Sequence, residues 1–164
     1  MQDTSDTRPA CQRLSISIRD VIFGQCVTVI EPVNLYGCEI GDSVFIGPFV
    51  EVQRSVRIGR GTRIQSHAFV CELVTIGEDC FIGHGVMFVN DVFAASGPAR
   101  GNKDLWKATT IGDRVSIGSN ATILPVEICD DVVVGAGSVV TRSISEPGIY
   151  AGNPARKLRP LPGK

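Results

Sequence analysis

An aliphatic residue returns at every sixth position through most of this chain, and few folds can accommodate that period. Ile40, Ile46, Val52, Ile58, Ile64, Val70, Ile76, Ile82 and Phe88 follow one another without a slip. The series resumes at Ile111, Ile117 and Ile123, skips by one residue, and continues at Ile128, Val134 and Val140. Neither a helix nor an alternating strand has this period. A short repeat at fixed spacing means stacked identical units, and a hexapeptide period goes with parallel β-helices.

Glycine follows the aliphatic residue at Gly41, Gly47, Gly59, Gly77, Gly83, Gly112, Gly118 and Gly135, and polar residues come next. Each hexad therefore reads as one short strand and one corner, with glycine expected where the chain turns sharply. Three hexads close a triangular coil of 18 residues. Ile40, Ile58 and Ile76 fall on one side (face A), Ile46, Ile64 and Ile82 on a second (face B), and Val52, Val70 and Phe88 on a third (face C). From Ile16 to Ser145, less a 22-residue interruption, 108 residues remain. They predict an all-β triangular prism of about six coils, ~29 Å tall at ~4.8 Å per coil. The expected organisation is an N-terminal extension over 1–15, a β-helix over 16–145 with a loop insertion at 89–110, and an extended C-terminal cap over 146–164. Flat valine-rich sides favour packing against copies of the chain, and a three-sided prism suits a trimer.

The 164 residues make one domain with a net charge of −1, so no basic field draws it to nucleic acid or an anionic membrane. The apolar runs are far short of a membrane span, and the polar start of the chain lacks the apolar core of a signal peptide. A cytoplasmic protein is expected. Six cysteines occur without a CxxC pair, which disfavours a zinc ribbon and any metal role. They read mostly as small buried apolar residues in a reducing compartment.

Residues 89–110 break the period. They hold Gly, Pro, Asn and Asp together with Trp106, Arg100, Lys103 and Lys107. A loop this long in a compact domain is usually functional. It leaves face C after Phe88 and returns on face A at Ile111, so it protrudes from the C/A corner with Asn90 and Asp91 at its base. At the B/C corner, successive coils carry Gly83-His84-Gly85, Gly118-Ser119-Asn120 and Gly135-Ala136-Gly137. Small residues there leave a shallow groove whose backbone amides can bond an extended amide-containing chain.

This pattern resembles the hexapeptide-repeat acyltransferases over nearly the whole chain. The resemblance implies a left-handed parallel β-helix, a trimer, and acetyl-CoA as co-substrate lying along a groove between subunits. It assigns the CoA chain to Gly118, Ser119, Ala136 and Gly137. The ending Gly152-Asn153-Pro154-Ala155-Arg156-Lys157 is similar to the family's C-terminal segment, which lies near the nucleotide end of CoA. There Pro154 packs on adenine and Arg156 and Lys157 meet phosphate. The stretch Phe88-Val89-Asn90-Asp91, with Gly97 to Gly101, Trp106 and Ile117 to Ile123, resembles the sugar N-acetyltransferases. Those enzymes acetylate the 3-amino group of a UDP- or dTDP-linked hexose for surface polysaccharide (O-antigen). Val89 stands where many have Thr. Arg100 and Trp106 are then expected at the substrate.

Acyl transfer needs the amine and thioester held together, donors for an oxyanion, and an acceptor for the amine's proton. Asn90, Asp91 and His84 are the expected catalytic set, with His84 from one subunit and Asn90 and Asp91 from the next. The alternatives are an O-acetyltransferase for another small acceptor, a non-catalytic hexapeptide-repeat subunit, or a metal-dependent hydratase. The hydratase needs three histidines, against His67 and His84 here. A serine acetyltransferase usually brings a helical N-terminal domain, for which the residues before Ile16 are too few. A sugar nucleotide is expected to bind on the β-helix and its loop.

Overall fold

The computed structural model describes residues 15–162; the expected N-terminal extension, with Cys11, falls almost wholly outside that range. Within it lie 21 strands of two to four residues, one 3-10 turn at Lys103–Leu105, and no α-helix. The strands form three sheets that are the three faces of the prism. Ile40 pairs with Ile58, Ile58 with Ile76, Ile76 with Ile111 and Ile111 with Ile128 along face A. Ile46, Ile64, Ile82, Ile117 and Val134 do the same along face B. Every such pairing is parallel, and the chain is a left-handed parallel β-helix.

The prism has about seven turns where the residue count predicts about six. Face C explains the difference. Its seven strands, from Ile18–Arg19 to Val139–Val140, are separated by six coil-to-coil steps. The last coil is completed beyond Ser145 by the strand Gly148–Ala151, which pairs in parallel with Val132–Val134 on face B. Arg156–Arg159 then folds back antiparallel to it.

Inside, the repeat aliphatics stack with almost no exposure, Ile46, Ile64, Ile82 and Ile117 among them. Burying each side chain is worth about 1.5–3 kcal/mol. A second inward row stands two residues earlier in each hexad and takes smaller groups: Val44, Val50, Val56, Thr62, Ala68, Val74, Cys80 and Val86. The Thr62 hydroxyl donates to Gly77 O at 2.8 Å and accepts from Cys80 N at 3.0 Å, so its burial leaves no polar group unpaired. Cys38, Cys71 and Cys80 are buried as expected, whereas Cys26 is exposed and Cys129 half-buried. Burial pushes the Cys38 thiol up to about 11 and the Cys71 thiol up to about 12.

The repeat glycines do not make the turns. The left-handed residue comes two positions later, at Phe49, His67, Gly85, Asn120 and Gly137 on the B/C corner and at Ser43, Gly61, Asp79, Arg114 and Asp131 on the A/B corner. The repeat glycines are instead pressed against the next coil. A Cβ on Gly47 would stand 2.8 Å from Ser66 N, and one on Gly59 would stand 2.6 Å from Gly77 C and O. Strand spacing leaves no room for a side chain there.

Ile76 pairs with Ile111, 35 positions on rather than 18, so 17 extra residues leave the coil at the C/A corner. Thr109 and Thr110, expected in the loop, already belong to the strand Thr109–Ile111. Among the described residues, no helix is long and apolar enough to cross a membrane.

Candidate active site

The expected site residues divide between two edges of the prism. The B/C edge is a ladder of turns in which each coil bonds the one before. Gly85 N donates to Ser66 O at 3.0 Å, Asn120 N to His84 O at 2.8 Å, and Gly137 N to Ser119 O at 2.8 Å. The ladder does not use the N–H groups of Ser119 and Ala136, the central residues of their turns. Gly118 must lack a side chain because a Cβ would strike Ala136.

His84 is exposed on this ladder, and its Nδ1 lies 2.8 Å from the Ser66 hydroxyl. That contact leaves Nε2 for solvent or substrate. For Nε2 to act as a base, Nδ1–H must donate to Ser66 Oγ. Ser66 stands one coil, 18 residues, before His84.

The C-terminal segment joins the top of the same edge. Val134 pairs with Tyr150, so Gly152 occupies the level above Ala136. Gly152 N donates to Ser138 Oγ at 3.1 Å, and Ala155 N donates to Val139 O at 2.8 Å. Pro154 and Arg156 are exposed beside this crossing. The Lys157 ammonium is held by Glu146 Oε2 at 2.8 Å, which raises its pKa and lowers that of the Glu146 carboxyl.

Asn90, Asp91, Arg100 and Trp106 lie on the loop at the C/A edge, one face away from His84 in the same chain. Asn90 Nδ2 donates to Glu72 O at 3.2 Å, and Lys107 N donates to Asn90 O at 2.9 Å, which closes the base of the loop. Asp91 is occupied by the loop itself: its carboxylate accepts Phe93 N at 3.0 Å and Ala99 N at 2.7 Å. Arg100 is exposed and has a left-handed backbone (φ 50°). Trp106 is half-buried, with the Lys103 ammonium 5.3 Å from its ring.

Glu72 was not legible as a site residue, yet it ties the arm to the prism. Its carboxylate meets Lys103 Nζ at 2.6 Å and Arg54 Nε at 3.7 Å. The side chain is only 12% exposed, so these pairs count for more than an ordinary surface bridge. The repeat does locate both missed partners, because Glu72 precedes Asn90 by 18 residues just as Ser66 precedes His84. No group of metal-ligating side chains forms among the described residues.

Two family profiles match the chain, "Bacterial transferase hexapeptide (six repeats)" over residues 37–72 and "Hexapeptide repeat of succinyl-transferase" over 73–87 and 108–142. Together they take in just over half of it. A bifunctional protein GlmU from Limosilactobacillus fermentum is 36% identical over 109 residues, 66% of this chain and 21% of the relative. The chain thus spans about a fifth of the length of the curated relatives it matches. Among solved structures, perosamine N-acetyltransferase from Caulobacter crescentus, in complex with CoA and GDP-perosamine, superposes with a TM-score of 0.63 at 21% identity, covering 84% of this chain and 57% of that one. AntD, an N-acyltransferase from Bacillus cereus in complex with dTDP and coenzyme A, gives 0.58 at 22% identity, covering 87% and 85%. A hexapeptide-repeat-containing acetyltransferase from Vibrio cholerae complexed with acetyl coenzyme A gives 0.62 at 25% identity, covering 76% and 71%. The period, the stacked triangular coils and the matched profiles agree, and the chain belongs to the hexapeptide-repeat family of transferases.

Proposed function

We propose that this chain is an acetyl-CoA-dependent N-acetyltransferase acting on the 3-amino group of a nucleotide-linked amino sugar, in the synthesis of bacterial surface polysaccharide (O-antigen of lipopolysaccharide) in the cytoplasm. The observation that carries it is that one chain bears two distinct edges, one a ladder of small turns with His84 and the other an anchored loop rising from Asn90. The complexes of relatives with CoA and a nucleotide or nucleotide-linked amino sugar support this reading.

In the proposed arrangement the chain works as a homotrimer, with the B/C edge of one subunit facing the C/A edge of its neighbour. CoA lies along the B/C ladder over Gly118, Ser119, Ala136 and Gly137, with its nucleotide end near Pro154, Arg156 and Lys157. The amide-bearing arm suits the unused N–H groups of Ser119 and Ala136. The neutral sugar amine attacks the thioester carbonyl. A C–N bond forms, the C–S bond breaks, and the amine proton passes to His84 Nε2 or to the departing thiolate. Asn90 bonds the sugar near its amine, while Arg100 and Trp106 contact the acceptor from the loop. Asp91 holds the loop through its two backbone bonds and so acts as a positioning residue rather than as the base. No metal is required.

The test is the mass of the acceptor after incubation with acetyl-CoA. A gain of one acetyl group, carried on nitrogen, supports the reading. Acetyl on a hydroxyl would favour the O-acetyltransferase alternative.

A further inference from the structure

The C/A edge below the loop carries a feature that acyl transfer itself does not use. A cavity of about 490 Å³ opens there, lined by Arg19, Asp20, Asn34, Tyr36 and Arg54. Two guanidiniums flank one aromatic ring, with Arg19 5.2 Å and Arg54 5.8 Å from the Tyr36 centroid. Arg19 is fixed by Ser15 O, Ser17 Oγ and Asn34 Oδ1 at 3.0, 2.9 and 3.4 Å. The ion pair of Arg54 with Glu72 runs through Nε at 3.7 Å, and among the described residues its two terminal nitrogens make no hydrogen bond. Two arginines so presented suit a ligand with adjacent phosphoryl groups.

Register decides which ligand. Glu51 pairs with Phe69 and Phe69 with Met87, so Arg54, Glu72 and Asn90 stand in one column on successive coils. Arg54 is thus two steps below Asn90, ~10 Å at ~4.8 Å per step. In a sugar diphosphate the two phosphorus atoms lie roughly 6–9 Å from a 3-amino nitrogen at ~1.5 Å per bond. An acceptor with its amine at Asn90 and its long axis down the C/A edge therefore brings its diphosphate to Arg54. Its nucleoside then extends toward Tyr36 and Arg19, where Asp20 and Asn34 offer acceptors to ribose hydroxyls.

We propose that the Arg19–Tyr36–Arg54 cavity is the diphosphate and nucleoside subsite of the acceptor. The inference rests on the acyltransferase reading for the position of the amine. It also explains why Glu72 sits between the two groups: it holds Arg54 on one side and the loop lysine on the other.

The test is calorimetric binding of free UDP, dTDP and GDP, with uridine, thymidine and guanosine as uncharged controls and CoA titrated in parallel. At least one diphosphate should bind the full-length protein, with its nucleoside weaker by about 100-fold. Arg54→Ala and Arg19→Ala should each weaken that diphosphate about tenfold, with CoA affinity unchanged and the fold retained. Equal diphosphate affinity in both variants, or no diphosphate binding by a protein that binds CoA, overturns the subsite and leaves the acyltransferase reading intact. Arginine-dependent diphosphate binding by a protein that does not bind CoA supports the subsite and removes the acyltransferase reading instead.

Discussion

Ser66 and His84 occupy the same place on neighbouring coils, and the Ser66 hydroxyl lies 2.8 Å from His84 Nδ1. The coil spacing brings a serine beside a histidine, and the contact is made by Nδ1 of an exposed ring, which leaves Nε2 outside it. If His84 takes the amine's proton, His84→Ala should lower kcat by about 100-fold or more, with the KM for acetyl-CoA little changed. Ser66→Ala should lower kcat by less, because the ring remains but its tautomer and orientation are no longer held. Steady-state kinetics at saturating acceptor checks both. An unchanged kcat in His84→Ala would leave the thiolate as the proton acceptor.

The active site is proposed to take His84 from one subunit and Asn90 from the next. Asn90→Ala should reduce turnover strongly without disturbing the assembly, as read by gel filtration. Inactive His84→Ala and Asn90→Ala chains, unfolded, mixed in equal amounts and refolded together, should recover about a quarter of wild-type activity, since a quarter of heterologous interfaces pair two intact edges. No recovery from mixed, correctly assembled trimers would place both residues in one subunit's site.

Asp91 accepts two backbone N–H groups of its own loop. Asp91→Ala should therefore raise amide exchange across residues 92–99 and lower kcat/KM, while Asp91→Asn retains part of the loop order. Hydrogen exchange read by mass spectrometry separates this from a base: a base would be lost equally in both variants, with exchange unaltered.

The period alone makes the prism legible, because only a coil of three hexads puts Ile40, Ile58 and Ile76 on one line. The glycines were placed correctly but for the wrong physical reason. They yield to the backbone of the next coil, and the turn is made by residues such as His67 and Asn120 that carry no shared chemical signature. The site was legible as positions, not as partnerships. Glu72 and Arg54 look like solvated charges in the sequence, and only cross-coil register shows that Glu72 joins the loop's Lys103 to Arg54 and that Arg54 lines a cavity. Asp91 reads in the sequence as a group that meets the amine, and only the structure shows that its carboxylate also holds the loop through Phe93 N and Ala99 N.

The glycine argument gives a stability test. Gly59→Ala must push against Gly77 backbone 2.6 Å away, whereas Gly97 has nothing within 4 Å. Gly59→Ala should cost about 1–3 kcal/mol, a drop of roughly 2–4 °C in Tm for each kcal/mol at this size. Gly97→Ala should melt with the wild type. Equal Tm values for the two variants would mean that the coils are not packed this closely.

Thiol chemistry reports on the core. Cys38, Cys71 and Cys80 are buried, and burial raises all three thiols, Cys38 to about 11 and Cys71 to about 12. In the folded state a thiol reagent at about pH 8 should mark Cys26 and spare these three, since the thiolate is the reacting form. Peptide mapping before and after denaturation should show their labels only afterwards. Rapid labelling of Cys71 in the native protein would contradict the packing.

The most direct measurement is release of CoA thiol by the purified protein given acetyl-CoA and a set of 3-amino-hexoses linked to UDP, dTDP or GDP. The account predicts release with at least one acceptor, none without an acceptor, and the same acceptor's nucleoside diphosphate as a competitive inhibitor. Absence of thiol release across the set, from a protein that also fails to bind CoA, would contradict it and leave a non-catalytic hexapeptide-repeat subunit.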